Sequence, residues 1–169
     1  WFLRGRTTRV QRMSGLRWGI LATGWIADLF TSDLVANGFD VVAVGSRSAD
    51  KAQHFAKRHG IAKAHGSYEA LAADPDVDVI YIATPHPQHV DTALLCINNG
   101  KHVLVEKPCT LNAGEAELLK AHSRQHGVMI MEAMWTRFLP HMVRLREIIK
   151  TGRLGAVRNV LATHMQDLP

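Results

Sequence analysis

Short apolar runs alternate with longer stretches of helical periodicity up to residue 131, and this alternation restricts the fold more than any other feature. The runs are rich in valine and isoleucine and lack a strict polar–apolar alternation, as expected for strands covered on both faces. We predict strands over 16–22, 40–46, 61–64, 77–83, 102–106 and 128–131. We predict helices over 25–37, 49–59, 68–73, 87–98 and 113–125. Crossover helices between such strands produce a parallel sheet, so the sequence predicts an α/β doubly wound, Rossmann-type fold.

The pattern changes after Met131. Residues 138–149 have the apolar spacing of one amphipathic helix, and 156–163 is expected to be a strand. We expect the linker helix and this strand to begin an α+β C-terminal substrate domain that is truncated here. The expected parts are a disordered leader over 1–14, a dinucleotide-binding Rossmann domain over 15–135, and the start of the second domain over 136–169.

The formal net charge of +5 comes mainly from the first twelve residues. They contain four arginines and no acid, and the rest of the chain has 16 basic and 15 acidic residues. Those remaining charges are interspersed, which is typical of a solvated enzyme surface, so we expect no nucleic-acid partner. The arginine-rich segment has two interpretations: a transit peptide or basic arm, or a disordered leader ahead of a true start at Met13.

Two further features of composition bear on where the protein works. No apolar run approaches the ~20 residues that a membrane-spanning helix needs, so we expect no membrane partner. Cys96 and Cys109 stand apart, without the spacing of a disulfide framework or a metal site. We therefore expect a reducing, cytoplasmic setting.

The segment after the first predicted strand has the form of a dinucleotide-binding fingerprint. That fingerprint needs a turn glycine, a second glycine that lets the backbone approach a pyrophosphate, and a small residue for helix–strand packing. Ala22, Gly24 and Ala27 hold these places, so alanine replaces the first glycine and is tolerable there only if its φ is negative. We predict cofactor contacts along 22–26, from Ala22, Thr23, Gly24, Trp25 and Ile26. An ordinary strand–helix turn is the alternative.

The end of the second predicted strand indicates which cofactor binds. An NAD site usually places Asp or Glu there for the ribose 2′-hydroxyl, whereas this sequence has Ser46 and Arg47. The planar guanidinium of Arg47 suits a 2′-phosphate, and Lys51 adds charge one helical turn later. We predict NADP(H) as the cofactor, with two solvated surface cations as the alternative.

A proline- and histidine-containing loop follows the fourth predicted strand. Ligands of open α/β sheets bind at this carboxyl edge, so we predict that Thr84, Pro85, His86 and His89 line the cofactor. The two histidines have other interpretations, as metal ligands or as incidental surface residues. We expect no metal, because no carboxylate or cysteine nearby completes a set.

The fifth predicted strand delivers Glu106-Lys107-Pro108 to the same edge. A lysine beside a nicotinamide ring can polarise a substrate hydroxyl or carbonyl, so Lys107 is the predicted catalytic residue. We also count Lys107 among the cofactor-binding residues. The peptide bond between Lys107 and Pro108 can adopt the cis form. In the alternative interpretation, Glu106 and Lys107 merely form an ion pair at a strand end.

These segments, together with 132–138, resemble the glucose–fructose oxidoreductase/inositol dehydrogenase (Gfo/Idh/MocA) family over about residues 15–165. Residues 22–27 and 132–140 are most similar to the branch of NADP-dependent D-xylose dehydrogenases and dimeric dihydrodiol dehydrogenases. The resemblance implies hydride transfer between NADP(H) and a sugar, such as D-xylose, or a cyclic trans-dihydrodiol. It also implies that the cofactor is surrounded by Glu106, His86, His89, Trp135 and Arg137.

The resemblance carries further expectations for the whole protein. Lys107 would act with a tyrosine and an aspartate of the second domain, and Tyr68 and Tyr81 lie in the wrong places to replace that tyrosine. This chain alone is then expected to be inactive, and the full-length protein to be a homo-oligomer, such as a dimer. A non-catalytic nucleotide-binding module, acting as a redox sensor or a scaffold, is the alternative function.

Overall fold

A computed structural model describes residues 15–163 and contains a six-stranded, all-parallel sheet. The strand order is β3-β2-β1-β4-β5-β6, which is the order of a doubly wound sheet, so the predicted fold class is confirmed. The strands are β1 (Arg17–Leu21), β2 (Asp40–Gly45), β3 (Lys63–His65), β4 (Val79–Ile82), β5 (His102–Val105) and β6 (Ile130–Glu132). The connecting helices are α1 (Trp25–Ala36), α2 (Ala49–His59), α3 (Tyr68–Ala72), α4 (His89–Asn98) and α5 (Ala113–Gln125). The leader predicted over 1–14 lies outside the described residues.

Several element boundaries differ from the predicted ones by one or two residues, and two of these differences have a clear local cause. Strand β6 begins at Ile130, because the backbone amides of Gly127 and Val128 bond to Arg124 and Ser123 and so complete the end of α5. At the start of α4, a 3₁₀ turn over His86–Gln88 comes first and the α-helix begins at His89. The sequence pattern alone does not distinguish a 3₁₀ turn from the first turn of an α-helix.

Helices cover the sheet on both faces and produce two buried clusters. On one face, Leu71 of α3, Ile97 of α4 and Leu119 of α5 pack against the strands. On the other, Ala27 of α1 and Phe55 of α2 pack against β1, β2 and β4. All four residues of β4 are buried, because this central strand contributes alternate side chains to the two clusters.

An ion-pair network lies at the amino edge of the sheet, away from the strand ends where ligands bind. Arg17 Nη2 and Nε donate to the two carboxylate oxygens of Asp78 at 2.8 and 2.9 Å. Asp74, whose side chain is buried, accepts from Lys63 Nζ at 2.9 Å and faces His65 Nε2 at 2.9 Å. Burial alone would raise the pKa of Asp74, but the hydrogen bonds from Lys63, the Asp76 amide and His65 lower it to about 2.

The chain divides into two compact units, the second of which begins at Met134. Within this second unit, a 3₁₀ turn over Trp135–Phe138 precedes helix α6 (Pro140–Lys150), which starts with proline in its first turn. Residues 156–163 form neither helix nor strand, so the strand predicted there is wrong for this structure. A strand requires a neighbour for its backbone hydrogen bonds, and none of the described strands pairs with this segment.

Candidate functional site

The turn between β1 and α1 brings the backbone close to the carboxyl edge of the sheet. The Ala22 amide donates to Gly45 O at 2.9 Å, which extends the β1–β2 ladder by one residue. Ala22 then adopts a φ of 84°, in the left-handed region that favours glycine. The condition of a negative φ, under which alanine was expected to be tolerable at this position, is therefore not met. The turn imposes this conformation, at a cost of about 1–2 kcal/mol for a residue with a Cβ atom.

Helix α1 presents an uncapped amino terminus directly after this turn. Gly24 is its N-cap and has no side chain to satisfy the helix amides. The first helical bond runs from the Asp28 amide to Gly24 O at 3.0 Å, and the amides of residues 25–27 have no partner in the described part of the chain. A Cβ built on Gly24 meets no atom within 4 Å, so open space lies over these donors. This geometry suits an anionic group such as a pyrophosphate.

The turn from β2 to α2 supplies positive charge beside that helix terminus. Ser48 caps α2, and its Oγ accepts from the Lys51 amide at 3.4 Å. Arg47 is exposed, and the side chains of Arg47 and Lys51 have no hydrogen-bond or ion-pair partner among residues 15–163. Two cationic groups therefore remain available for an anionic ligand.

These turns surround a crevice of about 1040 Å³ at the carboxyl ends of β1, β2 and β4. Eight of the predicted residues line it: Ala22, Thr23, Gly24, Ser46, Arg47, Lys51, Thr84 and Pro85. Trp25 and Ile26 are exposed at the start of α1 but are not among the lining residues. The crevice thus combines the open helix terminus with the cations that follow β2.

Sequence reasoning missed several lining residues, of which His54, Phe55 and Arg58 of α2 and Tyr68 of α3 are the largest. The helical period is the signal for the three on α2, since residues three, four and seven positions after Lys51 share its face. The Arg58 guanidinium lies over the Phe55 ring, 5.6 Å from its centroid, and pairs with Asp28 of α1. That ion pair links the two helices that border the crevice.

The two histidines of the β4–α4 loop occupy different environments. His86 is exposed, whereas His89 is fully buried. His89 Nδ1 lies 2.8 Å from Pro108 O, and its Nε2 lies 2.9 Å from Thr84 O. Both ring nitrogens face protein carbonyl groups, so His89 connects two loops and does not line the crevice. The predicted role of His89 in cofactor binding stays a prediction.

Glu106 and Lys107 follow β5 at the same edge of the sheet. Glu106 Oε1 accepts from the Tyr81 hydroxyl at 2.6 Å, and Oε2 accepts from the Lys107 backbone amide at 3.0 Å. The two side chains do not form the ion pair of the alternative interpretation. The ammonium group of Lys107 is exposed and has no partner in the described ranges, and the following bond to Pro108 is cis.

Trp135 and Arg137 lie in the 3₁₀ turn of the second unit, and their predicted role in cofactor binding stays a prediction. Within residues 15–163, no group of three or more His, Cys, Asp or Glu side chains is placed to hold a metal ion. Over the same range, no helix has both the length and the apolar character needed to cross a bilayer.

Comparison with known proteins agrees with this geometry. Trans-1,2-dihydrobenzene-1,2-diol dehydrogenase of Mus musculus is 48% identical over 156 residues, which cover 90% of this chain and 47% of the relative. The Homo sapiens enzyme of the same name is 46% identical over 146 residues, covering 85% and 44%. The chain therefore spans just under half the length of these curated relatives.

A solved structure and a family profile complete the comparison. The 3-ketoreductase KijD10 from Actinomadura kijaniata, in complex with TDP-benzene and NADP, matches with a TM-score of 0.75 and 31% identity. The match covers 81% of this chain and 44% of that one. Residues 16–134 match the profile described as an oxidoreductase family with an NAD-binding Rossmann fold. Since this match spans most of the chain, the chain belongs to that oxidoreductase family.

Proposed function

We propose that the protein carrying this chain is an NADP-dependent dehydrogenase acting on a sugar or a cyclic trans-dihydrodiol. The observation that carries the cofactor choice is Arg47. It occupies the end of β2, where an NAD site usually has an acid, and its guanidinium has no partner in the described part of the chain. Lys51 lies beside it in the same crevice, so the pair can bind a 2′-phosphate.

The residues present fit the rest of such a cofactor. The free amides at the start of α1 and the open space over Gly24 accommodate a pyrophosphate. When bound, NADP(H) supplies or accepts a hydride at its nicotinamide ring. Lys107 lies at the adjoining strand end, and its ammonium group has no partner among residues 15–163. It would donate a hydrogen bond to the substrate oxygen and stabilise negative charge that develops there.

The substrate proposal rests on the names of the relatives and on the sequence resemblance. The mouse and human relatives are named for a cyclic trans-diol, and the resemblance in sequence also includes D-xylose dehydrogenases. A polar small molecule suits an exposed lysine at the carboxyl edge of the sheet. We further propose a homodimeric, cytoplasmic enzyme; Cys96 and Cys109 are both free thiols, as in a reducing compartment.

The test uses the full-length protein. Absorbance measures the formation of NADPH in the presence of trans-1,2-dihydrobenzene-1,2-diol or D-xylose. Arg47→Asp removes two charge-assisted contacts, so we expect NADPH affinity to fall about 10- to 100-fold while NADH affinity is retained. Lys57→Asp is the matched control, because it makes the same charge change on the other face of α2. Unchanged NADPH affinity in Arg47→Asp would show the cofactor assignment to be wrong.

Lys107→Ala in the same assay separates catalysis from binding. We expect turnover to fall by orders of magnitude while NADPH still binds, because Lys107 lies beyond the crevice that holds the phosphates. A near-normal rate would contradict its catalytic role. Tight NADPH binding by the unaltered protein without turnover of either substrate would instead favour the sensor or scaffold function.

A further inference from the structure

The carboxylate of Glu106 is held by the protein on both of its oxygens. The Tyr81 hydroxyl donates to Oε1 at 2.6 Å, and the Lys107 backbone amide donates to Oε2 at 3.0 Å. The carboxylate therefore links a residue of β4 to the backbone of the residue predicted to be catalytic. Glu106 makes both hydrogen bonds to groups of the protein itself.

Tyr81 is placed to act as a rigid hydrogen-bond donor. It is fully buried in the central strand, and its ring packs against Phe30 of α1 with centroids 4.1 Å apart. Tyr81 lies opposite Leu104 in the β4–β5 register, so Glu106, two residues further on, is on the same face of the sheet. Burial first, and then the hydrogen bond to Glu106, raise the pKa of Tyr81, so the phenol keeps its proton.

Lys107 itself has few other anchors. Its side chain is exposed, and its ammonium group has no partner in the part of the chain that the structure describes. The next residue, Pro108, is held through its carbonyl group, which lies 2.8 Å from the buried His89 ring. The amide of Lys107 is held by Glu106, and Glu106 is in turn held by Tyr81.

We propose that Tyr81 is a positioning residue, which orients the Glu106 carboxylate and thereby fixes the backbone that presents Lys107 to the substrate. This inference rests on the proposed function for its catalytic consequence, but the positioning itself exists in the protein without cofactor. Tyr81 thus contributes to catalysis from the buried core, without touching the reacting atoms.

The first test is a structural one, in the cofactor-free, full-length protein. Tyr81→Phe removes the hydroxyl and keeps the ring against Phe30. Mass spectrometry measures hydrogen exchange at the Lys107 amide, and we expect this exchange to be about tenfold faster in Tyr81→Phe than in the unaltered protein. Thr31→Val on α1 is the control, because the buried Thr31 hydroxyl has no hydrogen-bond partner among the described residues. An unchanged exchange rate in Tyr81→Phe overturns the proposal.

The second test is a double-mutant cycle on turnover. We expect Tyr81→Phe to lower kcat about tenfold with the Kd for NADPH unchanged, and Glu106→Ala to lower kcat at least as much. If Tyr81 acts through Glu106, then adding Tyr81→Phe to Glu106→Ala causes no further loss. Losses that multiply in the double variant would overturn the proposal, since Tyr81 would then act by another route.

The outcomes separate the two proposals. If the unaltered protein binds NADPH but turns over neither substrate, the proposed function fails, and the exchange measurement still decides the role of Tyr81. If the unaltered protein is active and Tyr81→Phe changes neither exchange nor kcat, the positioning role alone fails. Tyr81→Leu removes the same hydroxyl, and it replaces Tyr81→Phe in the exchange measurement if that variant does not fold.

Discussion

Gly24 lines the crevice and Gly45 is the last residue of β2, and the structure gives the two glycines different reasons to lack a side chain. A Cβ atom on Gly24 meets nothing within 4 Å, and the backbone there has a φ of −77°, which alanine adopts freely. A Cβ atom on Gly45 lies 2.7 Å from Leu71 Cβ and 3.2 Å from Ser67 O. Alanine therefore fits the protein at Gly24 and collides with α3 at Gly45.

The two alanine variants should consequently fail in opposite ways. Gly45→Ala forces β2 and α3 apart, which costs about 1–3 kcal/mol of unfolding free energy, or about 4–8 °C in Tm for a loss near 2 kcal/mol. Gly24→Ala weakens only an N-cap, at about 0.5 kcal/mol. Its methyl group instead enters the space in which a pyrophosphate would approach the α1 amides, so NADPH affinity should fall about 10- to 100-fold.

Both variants are measured on the same preparations, by thermal unfolding without ligand and by calorimetric titration with NADPH. Each variant is the control for the other, because both add one methyl group near the carboxyl edge of the sheet, one in open space and one against α3. Gly24→Ala with full NADPH affinity would refute the assignment of the α1 terminus as the phosphate site. Gly45→Ala with an unchanged Tm would refute the packing argument at α3.

Two further predictions concern stability. Asp74→Asn should lower the free energy of unfolding by about 2 kcal/mol at neutral pH, because the pKa of Asp74 in the folded protein, about 2, lies below its ordinary value. The ionised carboxylate therefore stabilises the fold above pH 4, and this stabilisation is lost as the pH falls toward 2. Denaturant unfolding of the unaltered protein and of Asp74→Asn between pH 7 and pH 2 checks this prediction. A difference in unfolding free energy that persists at pH 2 would contradict it. Ala22→Gly should gain up to about 1 kcal/mol, because relief of the positive φ exceeds the extra entropy of glycine in the unfolded chain. A lower Tm in Ala22→Gly would show that the turn does not strain alanine.

Much of the fold follows from local patterns. Four of the six predicted strands and all five predicted Rossmann-domain helices overlap the observed elements closely, since the hydrophobic period and the turn residues are local properties. Strand β3 begins two residues later than predicted. The sixth strand is displaced by the capping bonds of Gly127 and Val128. The strand predicted over 156–163 does not form, because a strand depends on a neighbour that local sequence does not supply.

The candidate site also contains some residues whose positions the sequence predicts and others whose positions it does not. Arg47 and Lys51 were predictable because a strand end followed by a helix start places them at the carboxyl edge. The burial of His89 was not, because a histidine seven residues after a strand end has the same local sequence pattern whether its ring points inward or outward. The contact between Tyr81 and Glu106 joins residues 25 positions apart, which no local pattern encodes.

The amino-acid sequence by itself determined the order of the elements, the parallel sheet and the chemical character of its carboxyl edge, including the arginine in place of an acid after β2. These depend on periodicity and residue type, which are fixed before the chain folds. Tertiary structure decided the positive φ of Ala22, the inward turn of His89 and the link from Tyr81 through Glu106 to Lys107. Each of these depends on how neighbouring strands and helices pack, and packing brings together groups that are distant in the sequence.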